Sequence, residues 1–312
     1  MKIIKFLTVL IALVLVGCGN NGEDIDLKII APYGTPALAQ VYIEHYRPDI
    51  EGANYEIDLV SGADLLVVAF TSESHDIIFA PTNVGARLID SGIPYVFAAT
   101  VNWGNSYLAS KTPIESLSDL EGKEVVAFGQ NATPDIVLRT LIDNYSFENP
   151  PTIRYVDSVQ SALVELVQDN TRIVLLAEPV LSVGQKQLGE LNIIDLQDAW
   201  EDLSGVGSYP QAGVFIHERV PNHIIDAYLA KLEEGLTYLE NNPELIAQYA
   251  VDLDYPFPKD VLVNAIPRGN IRFGSALESK EALEVYFNYI LLLQGDLINN
   301  KLPDDSFYYN PE

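Results

Sequence analysis

The chain has 312 residues, 48 % of them hydrophobic and 10 % aromatic, and its 44 acidic against 18 basic residues give a formal net charge of −26. That apolar content is enough to bury a core and excludes disorder as the default, while the length suits two domains or one large one. A charge of this sign excludes nucleic acid as a partner, whose phosphates would be repelled, and excludes a basic surface for anionic lipid.

Lys2 and Lys5 precede an apolar run from Phe6 to Val16. The run is too short to cross a bilayer as a helix, and small residues follow it, so residues 1–17 read as a secretory signal peptide. Cys18, directly after Val16 and Gly17, is the only cysteine, which excludes a disulfide within the chain. Its setting resembles the lipobox of bacterial lipoproteins. That resemblance implies that Cys18 becomes the mature N-terminus and carries lipid, palmitate included, on its sulfur. Residues 18–26 are polar and Gly-bearing and read as a flexible tether.

From Leu27 the pattern is α/β. Strands are expected at Leu27–Ala31, Tyr55–Val60, Asp76–Ala80 and Ile93–Val101. Helices between them run over Pro36–His45, from Asp64 to Phe70, and from Asn83 to about Ser91. This alternation predicts a parallel sheet covered on both faces. The rhythm then restarts. Strands are expected at Ser106–Ser110, Glu124–Phe128, Ile153–Val156, Arg172–Ala177 and Leu191–Leu196, with helices at Pro134–Asn144, from Asp157 to Gln168, and at Pro179–Leu188. Asp198–Gly207 reads as a polar loop and Tyr209–Ile216 as a strand. Everything beyond is expected to be helical: Asn222–Glu240, Pro243–Tyr249, Lys259–Ala265 and Glu278–Leu293.

One corner occurs twice. Lys28-Ile-Ile-Ala-Pro-Tyr-Gly-Thr-Pro36 and Glu124-Val-Val-Ala-Phe-Gly-Gln-Asn-Ala-Thr-Pro134 each carry an apolar strand, an aromatic followed by Gly, then Thr-Pro opening a helix. The Gly permits a tight turn. Thr35 and Thr133 are expected as N-caps, with Pro36 and Pro134 at N1. Each corner puts an aromatic ring and a helix start at a strand's carboxyl end, where open α/β sheets bind ligands. The copies differ, because the second loop is longer by Gln130, Asn131 and Ala132. Strands early and helices late predict an insertion. Residues 27–101 and 207–312 form lobe one, residues 102–206 form lobe two, and two Gly-bearing crossings near Thr100–Asn105 and Ser204–Gln211 act as the hinge.

Five segments in this order resemble the substrate-binding proteins of bacterial ABC importers, in the family of nitrate, sulfonate, taurine and thiamine-pyrimidine-precursor binders. They are Ala31-Pro-Tyr-Gly-Thr-Pro-Ala-Leu-Ala39, Asp76-Ile-Ile-Phe-Ala-Pro-Thr-Asn-Val-Gly85, Ser116-Leu-Ser-Asp-Leu-Glu-Gly-Lys123, Ala177-Glu-Pro179 and Ala265-Ile-Pro-Arg-Gly-Asn-Ile271. The resemblance spans essentially the whole body of the chain after the signal. It implies a two-lobed α/β clamshell, the type II periplasmic-binding-protein fold. It implies a monomer, lipid-anchored on the extracytoplasmic face of the cell membrane, that holds a small molecule between its lobes and hands it to a permease.

In such a clamshell Tyr33 and Phe128 each line one wall, or serve as local staples under their turns. Gly34, Thr35, Asn131 and Thr133 surround the two helix starts. Asn83 opens a third helix, as a cap or as an amide facing the cleft. Trp103 and Asn105 lie at the first crossing, where Trp103 is either a ligand platform or hinge packing. Glu178 either accepts from an amino group of the ligand or favours its own helix start. Tyr209 and Gln211 lie at the second crossing and close the site. Arg268 suits an anion, or anchors its own turn. No other basic residue falls in these loops, which favours a neutral or weakly polar ring compound over a sulfonate, nitrate or other small anion.

Catalysis finds little support. His217-Glu218 with His223 lacks the His-Glu-x-x-His zinc spacing, and no phosphate loop or nucleophile elbow appears. The sequence therefore predicts a binding protein with no catalytic residue, no metal and no cofactor. An enzyme on the same fold, resembling those that make the thiamine pyrimidine, would need reactive side chains in the cleft. A sensor module would need a membrane partner.

Overall fold

A computed structural model describes residues 25–62 and 64–311. The predicted signal peptide, Cys18 and the tether up to Asp24 lie outside the described residues. Two sheets organise the rest. The first comprises β1 (Asp26–Pro32), β2 (Asn54–Val60), β3 (Ile77–Pro81), β4 (Tyr95–Asn102), β10 (Ala212–His217) and β11 (Ile271–Ser275). Its order is β11-β4-β10-β3-β1-β2. The second comprises β5 (Ser106–Ser110), β6 (Glu124–Phe128), β7 (Thr152–Val156), β8 (Ile173–Ala177) and β9 (Asn192–Asp195), in the order β7-β6-β8-β5-β9.

The two sheets share a plan. In each, three parallel strands run in the order second, first, third: β2-β1-β3 and β7-β6-β8. In each, a strand arriving from the other lobe lies antiparallel beside the third, β10 against β3 and β5 against β8. This corrects the expectation of a purely parallel sheet. β10 also pairs antiparallel with β4 and so separates it from β3. The repeated corners follow β1 and β6, which are equivalent strands, so the sequence repeat is a structural one.

The helices are α1 (Thr35–Leu38), α2 (Val41–Tyr46), α3 (Asp64–Thr71), α4 (Thr82–Asp90), α5 (Thr133–Asn144), α6 (Val159–Gln168), α7 (Val180–Leu188), α8 (Leu196–Ser204), α9 (Asn222–Asn241), α10 (Pro243–Asp252), α11 (Lys259–Ala265) and α12 (Ala276–Gln294). The expected helix Pro36–His45 is two helices, because the chain turns at Ala39–Gln40. The expected polar loop Asp198–Gly207 is mostly α8. Asp195 caps it by accepting from Gln197 N–H, Leu196, Gln197 and Trp200 are buried, and left-handed Gly205 at φ 74° ends it. The last third is not wholly helical either, since β11 pairs with β4 there.

Thr35 and Thr133 are first helical residues, not caps. Gly34 and Ala132 occupy the cap positions, with no side-chain cap bond. Gly34 has φ 117°, which a side chain rarely tolerates, so the glycine is required there. Pro179 likewise precedes α7 as its cap residue instead of starting it.

One apolar cluster runs through both lobes, and Trp200, Tyr209, Tyr286 and Phe287 all belong to it. A second covers the opposite face of the second sheet, from Val126 and Val174 to Leu163 and Leu181 on α6 and α7. α12 packs on β4 and on α5, so it touches both lobes.

Candidate functional site

The strand order second-first-third creates a switch point at the carboxyl ends of the first and third strands, where crevices form in open α/β sheets. Here two such points face each other across one cavity of about 230 Å3. Pro32 to Pro36 from the end of β1 and Pro81 at the end of β3 line one side; Phe128 at the end of β6 and Ala177 to Val180 from the end of β8 line the other. Eight of the residues singled out from the sequence reach it: Tyr33, Gly34, Thr35, Asn105, Phe128, Thr133, Glu178 and Gln211. Tyr33 remains 41 % exposed, so its ring stands at the rim.

The polar residues of the cavity are largely committed to each other. Asn105 Nδ2 donates to Thr35 Oγ1 (2.8 Å) and to the Glu178 carbonyl (3.3 Å). Gln211 Nε2 donates to Asn105 Oδ1 at 2.9 Å, and Gln211 Oε1 accepts from Asn105 N–H at 3.3 Å. Both crossings and the first corner are therefore wired through Asn105. Thr133 Oγ1 is buried with no partner within hydrogen-bond distance, and neither has the phenol of Tyr286.

Among the described residues, Glu178 is the only carboxylate lining the cavity, and no Lys, Arg or His lines it. The Glu178 side chain is fully buried and its charge is already matched. Arg268 Nε donates to Oε1 at 2.7 Å, and Ser182 N–H donates to Oε2 at 3.1 Å. Burial raises its carboxyl above the ordinary range, and the Arg268 guanidinium pulls it back part of the way. Arg268 also donates to Ser182 Oγ and Gln185 Oε1 on α7. It does more than anchor its own turn: it spans from the first lobe's helices to the second lobe. Tyr107 on β5 adds a hydroxyl donated to the Arg268 carbonyl at 2.7 Å, and Lys186 pairs with Asp260 at 2.5 Å.

Four expected site residues do not line the cavity. Trp103 is packed at the crossing: Nε1 donates to the Arg272 carbonyl, and the Arg272 guanidinium lies 4.0 Å over the ring. Tyr209 is fully buried, donates to Gln197 Oε1 at 2.6 Å and lies edge-on to Trp200. Asn131 closes its own loop, its backbone N–H donating to Asp135 and its side-chain Oδ1 accepting from Arg139. Asn83 is buried in α4 with Oδ1 unpartnered. Rarity of the residue type, or proximity to a hinge, does not say which way a side chain faces.

Sequence reasoning missed Gln160 and Phe257, which also line the cavity. Gln160 opens α6 after β7, so the strand-end rule that found the other corners applies to it too. Phe257 sits between two prolines in a loop of the helical third, and no local signal pointed there. Among the described residues no group of three His, Cys, Asp or Glu side chains is placed to hold a metal ion, and no helix is long and apolar enough to cross a membrane.

Comparison with known proteins follows the fold. The family described as menaquinone biosynthesis matches residues 98–289. Among solved structures, an ABC transporter from Parabacteroides distasonis is similar over 93 % of this chain and 100 % of its own, with 21 % identity and a TM-score of 0.82. The periplasmic aliphatic sulphonate binding protein SsuA from Escherichia coli is similar over 93 % of this chain and 96 % of its own, at 14 % identity and a TM-score of 0.67. The alkanesulfonate-binding protein SsuA from Xanthomonas axonopodis pv. citri, bound to MOPS, is similar over 89 % and 96 %, at 13 % identity and a TM-score of 0.64. No curated protein matches the chain by sequence. The neighbours share the two-lobed periplasmic-binding-protein fold, and the likeness rests on shape at these identities.

Proposed function

The chain belongs to the menaquinone-biosynthesis family, and from that premise and its two-lobed fold we propose that it is the solute-capturing component of an ABC importer, not an enzyme. One observation carries this reading: the cavity between the two switch points has walls from both lobes and no reactive pair. Among the described residues, Glu178 and Tyr33 are its only titratable lining residues, and Glu178 is tied to Arg268. An enzyme of the same family would need a general base or nucleophile there. Capture works by differential affinity: a solute that touches both walls favours the closed lobes, and a permease reads closure. The crossings near Thr100–Asn105 and Ser204–Gln211 serve as the hinge. Cys18 supplies a lipid anchor on the extracytoplasmic face, and loss of the protein from the membrane fraction in Cys18→Ser tests that element.

The solute is a neutral or weakly polar single-ring compound. A cavity of about 230 Å3 suits one ring, its aromatic walls Tyr33, Phe128 and Phe257 suit a flat one, and a free anion would meet Glu178 with no unpaired cation to balance it. A melting screen against pyrimidines, flavins, sulfonates, nitrate and amines tests this. Saturating a site at about 100-fold over Kd stabilises by about 2.7 kcal/mol. A neutral ring compound is expected to raise Tm, with Kd at least ~10-fold weaker in Phe128→Ala, which removes one wall. A response to sulfonate or nitrate alone overturns the neutral-ring reading. Turnover of a bound compound overturns the binding reading.

A further inference from the structure

The cavity continues beyond its rim. Tyr33, Gln160, Val180 and Phe257 line it and also line a second, larger space of about 700 Å3. This outer trough lies between α6, α7 and the loop from Pro256 to Pro258, with Ser61 at its edge. Among the described residues its lining includes no Asp, Glu, Lys, Arg or His, in a chain with 44 acidic and 18 basic residues. A surface groove so free of charge on so acidic a protein is a local exception.

The helix pattern points the same way. α6 already buries Ala162, Leu163 and Leu166. Val164 and Val167, one turn apart, are nevertheless 51 % and 47 % exposed, and both line the trough. A surface helix normally places polar residues outside its core stripe. Val183 on α7 and Leu163 on α6 complete the aliphatic floor. Contiguous exposed apolar surface marks a binding site more often than chance.

We propose that the captured solute is amphiphilic, with its ring in the inner cavity and a short aliphatic chain running out past Tyr33 and Phe257 into this trough. The inference rests on the neutral-ring reading for its head group and on the trough for its tail. The occupant is a tail of the same molecule, because four residues are shared between the two spaces and a substituent on a ring held inside has this path outward. Gln160 and Gln187 then flank the chain without placing a charge beside it.

The test is a calorimetric series of n-alkyl 4-aminobenzoates from methyl to hexyl, neutral rings that differ only in chain length. Affinity is expected to rise about two- to fourfold per added methylene, the range for partly to fully buried CH2 groups. In Val164→Asp/Val167→Asp, altered at two exposed positions that the fold does not need, the gain per methylene is expected to fall below about 1.3-fold. A series that binds without chain-length dependence, or whose dependence survives the double variant, overturns the trough and leaves the cleft reading intact. If no ester binds, N-phenyl-1-naphthylamine, bright only in apolar surroundings, decides the trough alone. Saturable fluorescence lost in the double variant supports it, and absence of saturation or persistence in the variant overturns it. Capture of the head group is then judged separately by the melting screen.

Discussion

Trp103 is held on several sides, and this fixes what it does. It is 6 % exposed, its backbone N–H donates to the Asn270 carbonyl, and Arg272 covers its face. Gly274 sits so close beneath the ring that a Cβ there would lie 2.6 Å from it. Truncation removes this packing, so Trp103→Ala is expected to cost about 3–5 kcal/mol in chemical unfolding, with no selective loss of ligand affinity once folded. Weak binding at full stability would instead return Trp103 to the site. The contrast with Phe128 is instructive. Phe128 was legible because the residue after a parallel strand and before a helix start has a fixed place at the sheet's carboxyl end. Trp103 and Tyr209 sit in crossings, where the backbone path sets the side chain's direction and the sequence carries no period to reveal it. Asn105 was legible as polar and central, but its role as the junction of Thr35, Glu178 and Gln211 depends on residues up to 106 positions away.

At the scale of elements, close packing against phenylalanine rings explains two glycine positions without any appeal to flexibility. Gly85 on α4 lies flat against the Phe215 ring of β10, where an added Cβ would come within 2.1 Å. Gly213 on β10 meets Phe97 of β4 in the same manner, at 2.5 Å. Gly213, just beyond the second crossing, is a strand residue under a ring. Neither phenylalanine has room to withdraw, since both are fully buried. Gly85→Ala is therefore expected to destabilise by about 1–3 kcal/mol through overpacking, in spite of alanine's better helix propensity. A denaturant midpoint equal to or above wild type would show that the α4–β10 contact relaxes freely. The elements missed from sequence share one cause. α8 shows two Asp and a Glu around a single Trp, and reads as polar until Trp200 and Leu196 find the α12 and α5 side of the core. β11 has five residues, and it is a strand because β4 offers it an edge. Regular strands with buried runs, such as β1 and β6, needed no partner to be recognised.

Across the whole molecule, the lobes are joined on two sides. Beside the crossings, α12 packs against both lobes, and the Trp200 ring meets Tyr209 and Tyr286 edge-on. On the cleft side, Arg268 reaches Glu178. Burial holds the Glu178 carboxyl above its ordinary value of 4.5, and Arg268 opposes that rise. A carboxyl raised in this sense contributes stability that is full below its unfolded pKa and is lost as pH rises through the folded one. Removing Arg268 removes the opposing pull and leaves a buried carboxylate without its cation, a loss on the order of 3 kcal/mol at neutral pH. Arg268→Ala is thus expected to lower Tm more at pH 7 than at pH 4.5, and Glu178→Gln in the same chain to recover most of the difference. A deficit equal at both pH values would show that Arg268 acts through Ser182 and Gln185 instead.

The place of β10 has a consequence for the order in which the protein assembles. It lies between β3 and β4, antiparallel to both, yet it follows them by more than a hundred positions in the chain. β4 then waits longer still for β11 and for the bridge from Phe97 to Tyr308. The second sheet, by contrast, is drawn wholly from one continuous stretch between Ser106 and Asp195. Contiguous contacts form sooner than distant ones, because less loop entropy must be lost first. The inserted lobe is thus equipped to fold while the flanking one is still half a sheet with open edges. Until β10 emerges, the switch point at β1 and β3 has an open strand edge beside it.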